Sequence, residues 1–235
     1  MSPPPGPPED TLQAARPTGA PRSYGRVDLI APGPTQAPGA PWPPQAPESL
    51  DAARRRANRA RVAAWFDRYA HQRAAWRTRN RYYYQEIERL AMAAIPPGAR
   101  VLELGCGIGD LLAAVRPSLG VGIDLSEEMV RVARRRHPSG TAEATSGEHG
   151  KLLFLRGDAH AIPLGTTFDY VICSDLLGHA DDIQVLLEGL HAVCTPQTKI
   201  LITYWNFVWH GVMWLAERLG LKMPEDQLNW LGMPD

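Results

Sequence analysis

Cysteine is scarce in this chain: Cys106, Cys173 and Cys194 are the only three in 235 residues. They lie far apart, so there is no CxxC pair for a zinc site or a redox dithiol and no disulfide framework. A sparse, odd set fits a reducing compartment. Long apolar runs are also missing, and none approaches the roughly 18 residues of a spanning helix. No basic segment leads into an apolar one near Met1, so a secretory leader is not expected and a cytoplasmic location is. Histidines and carboxylates do not fall at metal-ligand spacings, which speaks against a metal centre. Excess charge of one sign is absent as well. The 25 basic residues balance 25 acidic ones, so whole-molecule charge steers toward no polyanion, and nucleic acid is not an expected partner.

What is present is unevenly distributed. Residues 1–48 hold 14 of the 22 prolines. Stretches such as Pro3-Pro4-Pro5 and Pro41-Trp42-Pro43-Pro44 lack backbone donors and have little to bury, so this segment reads as a disordered tail. At Ser49 the texture changes to a helix start. From Arg54 to Arg81 there are ten arginines and one acid, Asp67. Trp65, Phe66, Tyr69 and Trp76 are interleaved with them. The plain reading is a solvated basic helical face. The sharper one is a surface for anionic lipid, glycan phosphate or RNA, the lipid reading placing the protein peripheral to a membrane. Tyr83, Ile87, Leu90 and Ala94 then recur at helical spacing, and Pro96-Pro97-Gly98 ends that helix. Residues 49–98 thus form an arginine-rich helical extension, and 99–235 the core.

From Arg100 the pattern is strand, turn, helix, repeated. Strands are expected at 101–104, 121–124, 152–155, 170–174 and 200–204. Helices are expected at 111–115, after Ser126, after Asp181-Asp182 (with Ile183, Leu186, Leu187 and Leu190 inward) and at 208–219. Residues 139–150 read as a polar loop. Continuous apolar strands alternating with helices indicate an α/β fold with a parallel sheet covered on both faces.

In such a sheet the ligand lies beyond the C-terminal strand ends, where the strand order reverses. The first strand delivers Gly105-Cys106-Gly107-Ile108-Gly109-Asp110 to that place. Glycine there lets a ligand approach the backbone. A dinucleotide turn would want a sixth-position glycine; here Asp110 would repel a pyrophosphate. S-adenosylmethionine carries no phosphate and is cationic at its sulfonium and amino group, so Glu103 and Asp110 suit it better than NAD. The second strand ends in Asp124, whose carboxylate can accept from both ribose hydroxyls. Asp158, ending the third strand, can accept from an adenine amino group, and the next amide, Ala159, can donate to the ring. His179, just after the fourth strand, can take a proton from an attacking hydroxyl or amine. His160 reads as structural.

As a set, VLELGCGIGD (101–110), VGIDLSEEMV (121–130), GDAHAIPL (157–164), FDYVICSDLLGHADD (168–182) and ILITYWN (200–206) resemble class I S-adenosylmethionine-dependent methyltransferases. The resemblance implies a Rossmann-like three-layer α/β/α sandwich, sheet order 3-2-1-4-5, with S-adenosylmethionine as cofactor. It puts Glu103, Gly105, Cys106, Gly107, Gly109, Asp124, Leu125, Asp158, Ala159 and Ser174 in the cofactor site, with Ser174, Asp175 and His179 as catalytic candidates. It also implies a lid around Tyr69 and Tyr82 to Tyr84. Pro196-Gln197-Thr198 stands where many relatives have a Pro-Gly-Gly turn.

Segments 66–90, 215–224 and 227–231 further resemble bacterial methyltransferases linked or fused to glycosyltransferases of surface-polysaccharide loci. That likeness implies a glycan or glycolipid acceptor and a glycosyltransferase partner. After Tyr204 only 31 residues remain, too few for the helix and two strands that complete a seven-stranded sheet, so the last two strands are expected to be missing and the core C-terminally truncated. The expected activity is methyl transfer to a small-molecule or glycan-like acceptor. The rival readings are a non-catalytic docking module and, less favoured, an NAD-linked oxidoreductase.

Overall fold

The computed structural model describes residues 50–138, 150–204 and 210–223. The Pro-rich tail, the loop 139–149 and the C-terminal residues 224–235 lie outside the described residues. Two helices come first, α1 (Leu50–Arg79) and α2 (Arg81–Ala94). The core follows: β1 (Arg100–Leu104), α3 (Asp110–Ala114), β2 (Leu119–Asp124), α4 (Glu127–Arg136), β3 (Lys151–Arg156), β4 (Phe168–Ser174), α5 (Ile183–Gly189), β5 (Cys194–Thr203) and α6 (His210–Arg218). The five strands form one sheet in the order β3-β2-β1-β4-β5, every pairing parallel. That is the order the sequence led us to expect, with the reversal between β1 and β4. No described helix is long and apolar enough to cross a membrane.

Strand alternation divides the core into two faces. Val101 and Ile172 pack with Leu112 of α3, Val115 just after it and Val130 of α4, and with Ile87 and Ala91 of α2 and Ile95 just after it. Leu102, Leu104, Val121, Ile123, Val171 and Cys173 pack on the other side with Phe168, Ile162, Leu164 and Leu190. Burying each such aliphatic side chain contributes about 1.5–3 kcal/mol. The helix ends are specified locally. Ser126 caps α4 by accepting from Met129 N at 3.1 Å. Asp182 caps α5 by accepting from Val185 N at 3.1 Å. Acids open α4 and Arg134, Arg135 and Arg136 close it, matching the helix dipole.

Three expectations need correction. The inward row of α2 is Tyr83, Ile87 and Ala91, continued by Ile95, whereas Leu90 is 52% exposed and Ala94 is exposed too. Two four-residue steps from Tyr83 land on Ile87 and then Ala91, and the larger Leu90 falls one residue off that row. In α5, Leu186 is buried but Leu187 faces outward, for the same reason. Pro196-Gln197-Thr198 is part of β5 rather than a turn before it. The register jumps there, from Phe168 opposite Cys194 to Tyr170 opposite Lys199, which makes room for a bulge. Thr198 Oγ1 pins the bulge by donating to Phe168 O at 2.6 Å. Proline is tolerated because β5 is an edge strand among the described residues.

Candidate functional site

The strand ends and α1 enclose two cavities that meet at Arg73, Gly105, Gly107, Ser174 and Asp175. The larger is bounded by the Gly105–Gly107 turn, Ile123, Asp124 and Leu125 after β2, Gly157 to His160 after β3, and Ser174, Asp175, Leu176 and His179 after β4. Its outer wall comes from α1 through Arg59, Val62, Phe66 and Arg73. The smaller is bounded by Glu103, Cys106 and Asp110 with Arg77 and Tyr84. The structure therefore brings together nearly every residue singled out in the sequence.

The glycine turn shows why those positions resist a side chain. Gly105, Gly107 and Gly109 all have positive φ, at 71°, 52° and 82°. A Cβ on Gly107 would meet nothing within 4 Å, so its backbone faces open space and is accessible to a ligand. Gly109 is constrained differently. It lines neither cavity, and a Cβ there would fall 2.6 Å from the Phe154 ring. Cys106 is buried in the core cluster, its thiol pushed well up by burial, and it borders only the smaller cavity.

Asp124 bridges two turns. One carboxylate oxygen accepts from Gly107 N at 2.8 Å and the other from Ser126 N at 2.9 Å. Burial raises its pKa, against the pull of those two amides and of Arg73. Glu103 is more extreme: it is 3% exposed, and Oε2 has no hydrogen-bond partner among the described residues. Burial pushes its pKa up to about 8, although Arg77 opposes this. Asp110 is neutralised instead. Burial raises its pKa, but hydrogen bonds from His137 and Arg136 and the charge of Arg77 together hold it below the ordinary range. With two guanidinium partners and a histidine ring around it, Asp110 is a weaker argument against a phosphate ligand than the bare sequence suggested.

At the far end, both oxygens of Asp158 are engaged. Arg59 donates to one at 2.7 Å, and the backbone and ring of His160 meet the other at 2.9 Å. Burial opposes ionisation there, but the His160 bonds and Arg59 hold the pKa down at about 2. Arg59 also reaches Asp181 at 3.6 Å. His160 thus has the structural role expected of it. His179 stands edge-on to Phe66, ring centres 5.1 Å apart.

Asp175 adopts φ 55°, a left-handed conformation that is strained for a residue with a Cβ. Its N donates to Thr203 O at 3.0 Å, and its carboxylate accepts from Tyr83 at 2.6 Å and Thr203 at 3.2 Å. Ser174 Oγ lies 3.0 Å from Thr203 Oγ1. Of the other lid tyrosines, Tyr84 borders the smaller cavity, Tyr69 packs tilted against Trp65, and Tyr82 is 76% exposed.

The α1 wall is what sequence reasoning missed. Arg59, Val62, Phe66, Ala70, Arg73 and Arg77 follow a three- and four-residue rhythm that marks one helix face. The signal was present, but the density of arginine made the whole helix look solvated. Asp67 locks this helix down, its carboxylate accepting from Ser126 Oγ at 2.6 Å and Glu128 N at 3.1 Å.

A methyltransferase domain family matches residues 69–232, most of the chain and the whole site apart from Arg59, Val62 and Phe66 of α1. The chain belongs to that family. This decides between the methyltransferase and nicotinamide readings in favour of the former. Among curated relatives, a fatty-acid O-methyltransferase of Mycolicibacterium smegmatis is 35% identical over 129 residues, covering 53% of this chain and 43% of the relative. An O-methyltransferase of Pyrenophora dematioidea is 32% identical over 110 residues, 45% of this chain and 39% of that one. A ubiquinone biosynthesis O-methyltransferase of Xanthomonas axonopodis pv. citri is 29% identical over 123 residues, 51% of this chain and 48% of that one. The matches span about half or less of these relatives' lengths. An S-adenosylmethionine-dependent methyltransferase from Thermotoga maritima shares the fold, with a TM-score of 0.53 at 19% identity over 67% of this chain and 70% of that one.

The methyltransferase site fits S-adenosylmethionine on its own chemistry. The ligand is long and carries positive charge at one end. The two joined cavities offer an open glycine backbone at Gly107, a buried carboxyl oxygen without a partner at Glu103, and Asp124 between them and the apolar α1 wall.

Proposed function

We propose that this methyltransferase transfers a methyl group from S-adenosylmethionine to a hydroxyl oxygen of a small-molecule acceptor. The observation that carries the reading is the joined cleft, with Asp124, Gly107 and Glu103 on one side and Ser174, Asp175 and His179 on the other. Bound there, S-adenosylmethionine supplies an electrophilic methyl on a sulfonium. Glu103 would face its amino group, Gly105 and Gly107 its methionine and ribose, Asp124 the ribose hydroxyls, and Leu125, Asp158 and Ala159 the adenine. Asp158 would have to share its Arg59-bonded oxygen with the adenine amino group.

Methyl transfer needs mainly alignment and exclusion of water, and orientation alone contributes about 7–11 kcal/mol in favourable cases. Val62 and Phe66 exclude water from the α1 side. Asp175, oriented by Tyr83 and Thr203, and His179, backed by Phe66, are the groups able to take a hydroxyl proton. Support for oxygen as acceptor comes from the relatives named as O-methyltransferases. A glycan-like acceptor supplied by a glycosyltransferase is a second reading, favoured by the resemblance carried by 66–90. Anionic lipid at a membrane surface is a further source of acceptors.

The test is transfer of labelled methyl to a panel of phenols, fatty acids and glycolipids. Turnover on one class, reduced at least about tenfold in both Asp175→Asn and His179→Ala, is the expected result. Cofactor binding without turnover on any acceptor would point to a non-catalytic docking module.

A further inference from the structure

The outer face of α1 has no part in the cleft, yet it carries a regular pattern. Arg54, Arg61 and Arg68 recur every seven residues, and Arg79 continues the line; all four are exposed. Between them the helix exposes the short or uncharged side chains of Ala57, Ala64, Gln72 and Ala75. The line runs along about 38 Å of straight helix. The acids of α1 are Asp51, at its start, and Asp67, which is turned inward to cap α4. On one shoulder lie the half-buried rings of Trp65, Tyr69 and Trp76, with the Arg79 guanidinium 5.6 Å from the Trp76 ring centre.

We infer that α1 docks the protein on an anionic lipid surface through Arg54, Arg61, Arg68 and Arg79, with Tyr69 and Trp76 at the headgroup boundary. A line of cations on a convex rod matches a flat sheet of negative charge, whereas single-stranded nucleic acid is tracked by a concave groove. Tryptophan and tyrosine favour the membrane interface, where one edge of the ring is wet and the other apolar. The inner face of the same helix is the cleft wall, through Arg59, Val62, Phe66 and Arg73. Docking therefore sets the cleft about one helix diameter, 10–12 Å, from the surface. The inference stands on α1 alone and does not depend on which acceptor is methylated.

The test is co-flotation of the full chain with phosphatidylcholine vesicles and with equimolar phosphatidylcholine–phosphatidylglycerol vesicles. A variant with Arg54, Arg61, Arg68 and Arg79 all changed to glutamine is compared, and Arg54→Gln with Arg68→Gln serves if the fourfold change impairs folding. Binding is expected on the anionic vesicles only. Each basic residue contributes about a fivefold preference, so the fourfold variant should bind at least about tenfold more weakly. Binding should also vanish near 1 M salt, where the screening length is about 3 Å. S-adenosylhomocysteine affinity of the variants should match the parent. Equal binding of parent and variant, no binding to anionic vesicles at low salt, or tighter arginine-dependent binding of a short single-stranded RNA would each overturn the inference.

Discussion

Glu103 is the residue with the most unusual environment. Its folded pKa of about 8 lies above the ordinary 4.5. A raised acid favours the fold while protonated: its contribution is complete below the unfolded value and is lost as pH climbs through the folded one. The ligand-free protein should therefore lose stability between about pH 4.5 and about 8, and Glu103→Gln should flatten that slope by up to a few kcal/mol. Urea titrations across that range check it, and a parent with no slope would contradict it. A cation held beside Glu103 lowers its pKa again. Binding of S-adenosylmethionine near neutral pH should then release a proton, seen as a titration heat that varies with buffer ionisation enthalpy. Asp124 offers a second residue-scale test. Asp124→Ala should weaken S-adenosylhomocysteine binding by about 1.5–3 kcal/mol, the scale for hydrogen bonds to a charged group. Unchanged affinity with a lower melting temperature would reduce Asp124 to a tie between Gly107 and Ser126.

Among the elements, the first four strands were legible because each is a mainly apolar run ending at or near a residue of distinct chemistry: Gly105, Asp124, Asp158 and Ser174. Ser126 and Asp182 could be recognised as caps from local sequence alone. What escaped was set by tertiary packing. The face that α2 buries depends on where the core lies, so Leu90 and Ala91 exchanged roles. The bulge at Pro196 to Thr198 needs its partner Phe168. The α1 wall was masked because Arg59 and Arg77 are paired with acids far away in sequence, Asp158 and Asp110, and Arg73 lends its charge to Asp124; no local pattern announces such partners. The attachment of α1 is itself testable. Asp67→Ala removes a cap that another helix supplies to α4, so it should cost about 1–2 kcal/mol by denaturant titration. It should also speed release of S-adenosylhomocysteine, since α1 is the outer wall of the cleft. No change in either quantity would mean that α1 is held by Phe66, Ala70 and Met129 alone.

Over the whole molecule, charge and apolar surface are segregated. The basic excess lies on α1, and much of the exposed apolar surface lies on β5, on α6 and just after it, where Ile200, Val212, Trp214, Leu215 and Leu219 are each at least 45% exposed among the described residues. Exposed apolar side chains on an edge strand and on a helix are each an association hazard. Val212→Lys with Leu215→Lys should therefore raise solubility and leave S-adenosylhomocysteine affinity unchanged. If the pair lowers the melting temperature instead, that face is covered by another part of the chain.

The central claim is that the cleft between β1, β2, β4 and α1 takes S-adenosylmethionine, and calorimetric titration of the intact chain tests it most directly. S-adenosylmethionine and S-adenosylhomocysteine should bind saturably at one site, NAD should give no heat, and Gly107→Val should abolish binding by filling the open space beside the turn. Saturable NAD binding with no heat from S-adenosylmethionine, or full S-adenosylhomocysteine affinity in Gly107→Val, would contradict the account.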